Sequence, residues 1–114
     1  MKVKNDDMPK SVYIFDGWRL DTGRRQLLSP SGVEVRLTSS EFTVLMIFCS
    51  RPQEVISRAD LLPKFGGKTY SIDRAVDVRI TRIRQKIETD PSKPVIIKTI
   101  RQEGYWFAAD VTVE

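Results

Sequence analysis

The stretch DRAVDVRITRIRQKIE, Asp73 to Glu88, decides how the rest of the chain is read. Val76, Ile80, Ile83 and Ile87 recur in it at helical spacing. At a turn of 100° per residue, the three isoleucines fall within about 40° of Val76. Such a narrow apolar stripe must face a core. Ala75, Arg79, Arg82 and Lys86 form a second stripe, centred roughly 90° away, with Arg74 and Val78 flanking it. Asp73 and Asp77 come early, where the helix dipole favours negative charge. Beyond Asp77 the next acid is Glu88. A solvated helix face usually mixes signs, with acids four residues before bases. This flank does not, and a helix with one apolar and one basic side suits the major groove of duplex DNA. There an arginine pairs with guanine through two hydrogen bonds, Val78 can meet a thymine methyl, and the remaining cations neutralise phosphates. On periodicity and charge alone, an amphipathic helix with solvated charges stays open as the alternative.

Upstream, LTSSEFTVLMIFCSRPQEV predicts a more buried helix. Thr38 followed by Glu41 is a capping-box pattern. Phe42, Leu45, Met46 and Cys49 recur at helical spacing, with Val44, Ile47 and Phe48 between them, so most of the circumference is apolar. Pro52 stops the helix. A second, short helix starts at Ser57, with Asp60 three residues on and Leu61 and Leu62 facing inward. Pro63 should shorten or bend it. FGGKTYS is a loop. The order of short helix, turn and basic helix is that of a helix-turn-helix.

Downstream of DPSKP, VIIKTI and GYWFAADV read as two strands joined by RQEG as a hairpin. Lys98, Thr99 and Arg101 place cations and a hydroxyl on that hairpin, as on a wing beside the groove. Ahead of the first helix, VYIF, WRL, RQLL and VEVRL are short strands separated by Asp16-Gly17, Thr22-Gly23 and Ser31-Gly32, a spacing that predicts an antiparallel meander. Residues 1–11 are polar, contain Pro9, and read as a tail or linker. Residues 12–114 then form one α+β domain.

Composition agrees with that scale. The chain has 114 residues, a length that fits one domain with a core of its own. Its net charge is +4, a weak bias toward a polyanionic partner. The lone Cys49 sits in an apolar run and reads as a structural thiol in a reducing compartment. There is no histidine. That removes the commonest general base and metal ligand, so no catalytic residue, metal site or cofactor is expected. Asp73 and Asp77 lack an acidic third ligand nearby for a nuclease. The first twelve residues hold no apolar run, nothing approaches the ~20 apolar residues of a membrane span, and a cytoplasmic location is expected.

Five segments in this order, LTSSEFTVLMIF, ISRADLL, DRAVDVRITRIRQKIE, DPSKP and IIKTIRQEGYWF, resemble the DNA-binding domain of OmpR/PhoB-family response regulators, and the loop GGKTYS before DRAVDV is closest to OmpR-like members. The likeness runs from about Tyr13 to Phe107. It implies a winged helix-turn-helix: an N-terminal four-stranded antiparallel sheet, three helices and a C-terminal β-hairpin wing. It implies that Arg82 leads base recognition, with Val78 and Arg79 beside it. Arg74, Thr81 and Arg84 match positions that touch phosphate or nearby bases, Lys86 is read as a phosphate contact from the basic stripe, and Thr99 and Arg101 match wing positions near the minor groove.

Lys64, Phe65, Gly66, Gly67, Lys68, Thr69, Tyr70 and Ser71 match the loop used for contact with RNA polymerase. The resemblance also implies tandem binding to direct repeats of double-stranded DNA, a receiver domain normally placed N-terminal, and a cognate sensor kinase. The chain would then be an excised effector domain, or else a stand-alone regulator lacking a receiver. The chain departs from the pattern at Gln102, where the wing usually turns through glycine, at Glu103, which puts a carboxylate near the wing tip, at Pro63, and at Ala75, which lacks a hydroxyl. Glu103 favours a rival reading, a protein-docking winged helix without DNA binding. Trp18 and Trp106 sit in strand patterns and are expected in core or edge packing rather than base stacking, and Tyr105 is expected to anchor the wing against the helices.

Overall fold

The structure is a computed structural model that describes residues 11–61 and 72–114. Four strands open the chain: β1 Val12–Phe15, β2 Trp18–Asp21, β3 Gln26–Leu28 and β4 Glu34–Val35. They form the expected antiparallel meander, with Phe15 opposite Trp18, Asp21 opposite Gln26 and Leu27 opposite Val35. Asp16 and Gly17 both take positive φ, 49° and 85°, the geometry that a two-residue turn needs to match right-twisted strands. Trp18 and Leu20 alternate inward from β2, and Phe15 and Leu27 join them in the core.

A fifth strand joins this sheet. β8, Val111–Val113, pairs antiparallel with β1, giving the order β4-β3-β2-β1-β8. The sheet is thus larger than the four strands expected, and GYWFAADV is not one strand. The run breaks at residues 108–110, so that β7, Gly104–Phe107, stays with the hairpin while β8 crosses to the first sheet. An unpaired β1 edge would leave its amides and carbonyls open, and the β-branched VTV run closes it.

α1, Ser39–Ser50, begins with the full capping box: the Glu41 amide donates to Thr38 Oγ1 at 3.1 Å, and the Thr38 amide donates to Glu41 Oε1 at 3.0 Å. It buries Phe42, Val44, Leu45, Phe48 and Cys49. Burial pushes the Cys49 thiol far up, which leaves it inert as a nucleophile. The ring of Phe107 stands edge-on to Phe15 at 5.0 Å and stacks on Phe48 at 5.4 Å, so one residue of β7 joins the first sheet to α1.

β5, Val55–Ile56, leads into α2, Arg58–Leu61, which buries Leu61; Leu62 and Pro63 lie outside the described residues. β6, Ile97–Ile100, pairs with β7 to make the wing, and β5 adds a third strand in the order β5-β7-β6. The wing's tip closes with the Glu103 amide donating to the Ile100 carbonyl at 3.0 Å and Gln102 at φ +66°. At Gly104, φ +141°, an added Cβ would lie 2.1 Å from the Ile56 carbonyl oxygen. Only a residue without a side chain lets β7 approach the β5–α2 junction so closely.

α3 spans Ile72–Ile87. Val76, Ile80, Ile83 and Ile87 are all buried, as their spacing required. The helix carries many β-branched residues, each costing some tenths of a kcal/mol in helix propensity. Each buried aliphatic side chain returns about 2 kcal/mol, so packing on α1 and α2 rather than propensity holds α3 in place. Past its end, the Glu88 carboxylate accepts from the amides of Val95, Ile96 and Ile97 at 2.8–3.1 Å. That buried carboxylate satisfies three successive main-chain donors leading into β6.

Candidate nucleic-acid interface

The direction of α3's side chains follows from which face is buried. With Val76 at zero, Arg74, Val78, Thr81, Arg82 and Gln85 fall within about 60° of the diametrically opposite line. All five are exposed, Val78 at 38%. This stripe, not the one at 90°, is the open face. Ala75 packs against the core cluster, and Arg79 and Lys86 point toward α1. The periodicity located the core stripe correctly, but it carried no information on which flank α1 would cover.

Each cation on the flanks has a partner. Arg79 Nε donates to Ser40 Oγ at 2.9 Å, which fixes the guanidinium beside the start of α1. Lys86 Nζ donates to Glu41 Oε1 at 2.5 Å and to the Arg36 carbonyl at 2.9 Å. Glu41 is 1% exposed. Burial pushes its carboxyl up, but the Lys86 hydrogen bond, the Thr38 amide and the charges of Lys86 and Arg82 outweigh that, leaving it below its usual value. Lys86 therefore balances a buried carboxylate. Two of the three N–H donors of its ammonium are thereby used within the domain.

On the opposite flank, Arg84 Nε and Nη2 donate to the Ile97 carbonyl at 3.0 and 2.7 Å, and Nη2 also donates to Thr99 Oγ1 at 2.9 Å. Two residues matched separately to DNA contacts thus bind one another, and they fasten α3 to the wing. Burial pulls the Arg84 pKa down. The Tyr105 ring lies near the guanidinium groups of both Arg58 and Arg84, at 5.2 and 5.5 Å. Asp77 Oδ1 accepts from Arg58 Nε at 2.9 Å and from Tyr105 Oη at 2.5 Å. Burial raises the Asp77 carboxyl, yet the Tyr105 and Arg58 bonds and the nearby guanidinium charges bring it below its ordinary value. Tyr105 thus joins α2, α3 and the wing, the anchoring role expected of it.

Thr81 Oγ1 donates to the Asp77 carbonyl in its own helix at 2.9 Å, which uses its hydroxyl hydrogen within the helix. Among the described residues, neither the Arg82 guanidinium nor the Gln85 carboxamide meets a hydrogen-bond partner. At the wing tip Arg101, Gln102 and Glu103 are exposed, and Thr99 and Lys98 are exposed on β6. The resulting surface is one helix face that carries the exposed cations Arg74 and Arg82 and the Gln85 amide, flanked by a hairpin. Among the described residues no group of three His, Cys, Asp or Glu side chains could hold a metal, and no helix is long and apolar enough to cross a membrane. Residues 64–71, matched to polymerase contact, lie outside the described residues.

Pair contacts between α3 and α1 or the wing escaped the sequence because they join residues far apart, such as Lys86 and Glu41. The Glu41 cap was visible, but its second partner had no signal. Gln85, a neutral side chain without a charge signal, also stands on the exposed line of α3.

Known proteins share this fold. Residues 32–107 match the family model described as "Transcriptional regulatory protein, C terminal". The regulatory protein VirG of Agrobacterium tumefaciens is 44% identical over 102 residues, covering 89% of this chain but 38% of that protein, so the chain spans well under half the length of this relative. The DNA-binding domain of Klebsiella pneumoniae RstA, solved in complex with RstA box, superposes with a TM-score of 0.74 at 34% identity, over 85% of this chain and 96% of that one. The response regulator DrrB, a Thermotoga maritima OmpR/PhoB homolog, gives a TM-score of 0.79 at 33% identity, over 91% of this chain and 47% of that one. With five exposed residues on one face of α3 and a wing fastened beside it, the chain belongs to the family of C-terminal domains of transcriptional regulatory proteins, of the OmpR/PhoB type.

Proposed function

We propose that the chain binds double-stranded DNA sequence-specifically, as the effector domain of a two-component response regulator that controls transcription. The observation that carries this reading is the open α3 face, with Arg82 exposed on it and the apolar stripe buried behind it. The likeness to the RstA domain, a DNA-binding domain solved in complex with RstA box, supports it. The domain is not an enzyme.

α3 enters the major groove, where Arg82 pairs with guanine and Val78 meets a thymine methyl. Arg74 and Thr81 approach the backbone. Arg79, held through Nε by Ser40, keeps its terminal amino groups for phosphate. The wing brings Thr99 and Arg101 to the adjoining minor groove or its backbone, with Arg84 as the brace between helix and wing. Lys86 supports α1 instead of touching DNA. Tandem binding to direct repeats, contact of residues 64–71 with RNA polymerase, a receiver domain joined upstream, a cognate sensor kinase and a cytoplasmic location complete the proposal.

Arg82→Ala tests it. The variant should fold normally and lose discrimination between a selected site and random duplex, by about 1–3 kcal/mol at the contacted base. Full retention of discrimination would remove Arg82 as reader. Exposed Glu103 at the wing tip favours one rival, a docking module without DNA binding. Duplex binding that weakens steeply as salt rises excludes that rival.

A further inference from the structure

Two exposed side chains three residues apart on the open α3 face can each make a paired hydrogen bond to a base edge. One is Arg82. The other is Gln85, three residues on and one helical turn away, to which neither the spacing of charges nor the family likeness gives a role. Gln85 lies about 180° from Val76 on the helix, on the line directly away from the core. It is exposed, and its carboxamide meets no partner among the described residues. Its neighbours explain why it stands clear. Arg84 is drawn to the wing through Ile97 and Thr99, and Lys86 is drawn to α1 through Glu41. These two pulls, on opposite flanks, leave Gln85 alone between them on the outward line.

A glutamine carboxamide offers one donor and one acceptor in a plane, the match for adenine N7 and N6 in the major groove. Side chains three apart on a helix have Cβ atoms about 5–6 Å apart, and base pairs stack at about 3.4 Å. Gln85 therefore reaches a base one or two steps from the one that Arg82 reads. We infer that Gln85 is a second specificity-determining residue, reading an adenine one or two base pairs from the guanine bound by Arg82. The inference rests on the proposed binding of α3 in the major groove.

Selection of bound sites from random duplexes, run in parallel on the chain, Gln85→Ala and Gln85→Glu, tests it. The unchanged chain should yield a motif with guanine and adenine one or two steps apart. Gln85→Ala should lose the adenine preference alone, with roughly tenfold weaker discrimination there and the guanine kept. Gln85→Glu should shift that position toward cytosine, whose amino group a carboxylate accepts. Identical motifs from all three proteins would overturn the inference, as would Gln85→Ala weakening every duplex alike, the mark of a backbone contact. If the guanine column persists in those cases, the groove-binding reading survives the loss of this one. No enriched motif from the unchanged chain would sink both.

Discussion

Lys86, at the end of α3, and Glu41, in the first turn of α1, form an ion pair in which the carboxylate is 1% exposed and the lysine side chain is 31% exposed. The same carboxylate oxygen accepts the Thr38 amide, so one atom serves the cap of α1 and the seating of α3. Removing the cation alone strands a buried charge, which is costly, while removing both partners is not. Lys86→Met should destabilise the fold by about 2 kcal/mol, below the usual range for a fully buried pair because the ammonium is partly solvated. Adding Glu41→Gln should recover part of the loss, a coupling visible in a double-mutant cycle of urea unfolding. Lys86→Met should also leave the salt dependence of duplex binding unchanged, whereas loss of a phosphate contact would lower that slope by about one.

Acid should act on the fold through Glu41 and Asp77, the lowered carboxyls that tie one helix to another. Glu41 and Asp77 both have folded-state pKa values below their ordinary ones. A carboxyl depressed in this way stabilises fully above its unfolded pKa, near 4, and that stability drains as pH falls toward the lowered folded value. Stability followed by urea titration should thus drop below about pH 4.5. In Asp77→Asn, whose side chain no longer ionises, the drop should be shallower.

The tyrosine that closes the triad with Asp77 and Arg58 can be tested separately. Tyr105→Phe keeps the ring near both guanidinium groups and removes only the hydroxyl's bond to Asp77. It should cost about 1 kcal/mol. Exchange of the wing's backbone amides should speed up more than exchange in α1, because the bond joins β7 to α3. Equal acceleration everywhere would show that the bond has no local role.

Adding a side chain at one wing position and removing one close by should move stability in opposite directions. Gly104→Ala drives a Cβ to 2.1 Å from the Ile56 carbonyl oxygen and should destabilise by about 3 kcal/mol or prevent folding. Gln102 sits at φ +66°, a conformation that costs an L-residue roughly 1–2 kcal/mol relative to glycine. Gln102→Gly should therefore stabilise by up to about 1 kcal/mol, once glycine's extra freedom in the unfolded chain is subtracted. Thermal unfolding of the two variants checks both signs.

What the residues disclosed in advance was local or periodic. Thr38 and Glu41 lie three apart, so their reciprocal bonds could be anticipated. The stripe of Val76, Ile80, Ile83 and Ile87 was fixed by the helix repeat. The turn at Asp16-Gly17 was fixed by its chemistry. Long-range choices were hidden. Nothing near Val111 says that its strand will leave the hairpin for β1, and nothing near Arg84 says that its guanidinium will turn to Thr99. The same limit misplaced the open face of α3. A helical wheel finds the buried line, but the two flanks are told apart only by what packs beside them, and here α1 took the one carrying Arg79 and Lys86.

The pairing of β1 with β8 has a mechanical corollary. Val12 and Glu114 are neighbours, joined by the Glu114 amide donating to the Val12 carbonyl at 2.8 Å, with Tyr13 opposite Val113 behind them. Tension that draws these two ends apart loads the ladder at its last rung, so the rungs break one after another instead of together. The domain should peel open at low force from this corner, while α3, on which no pull acts directly, stays seated until the sheet has gone.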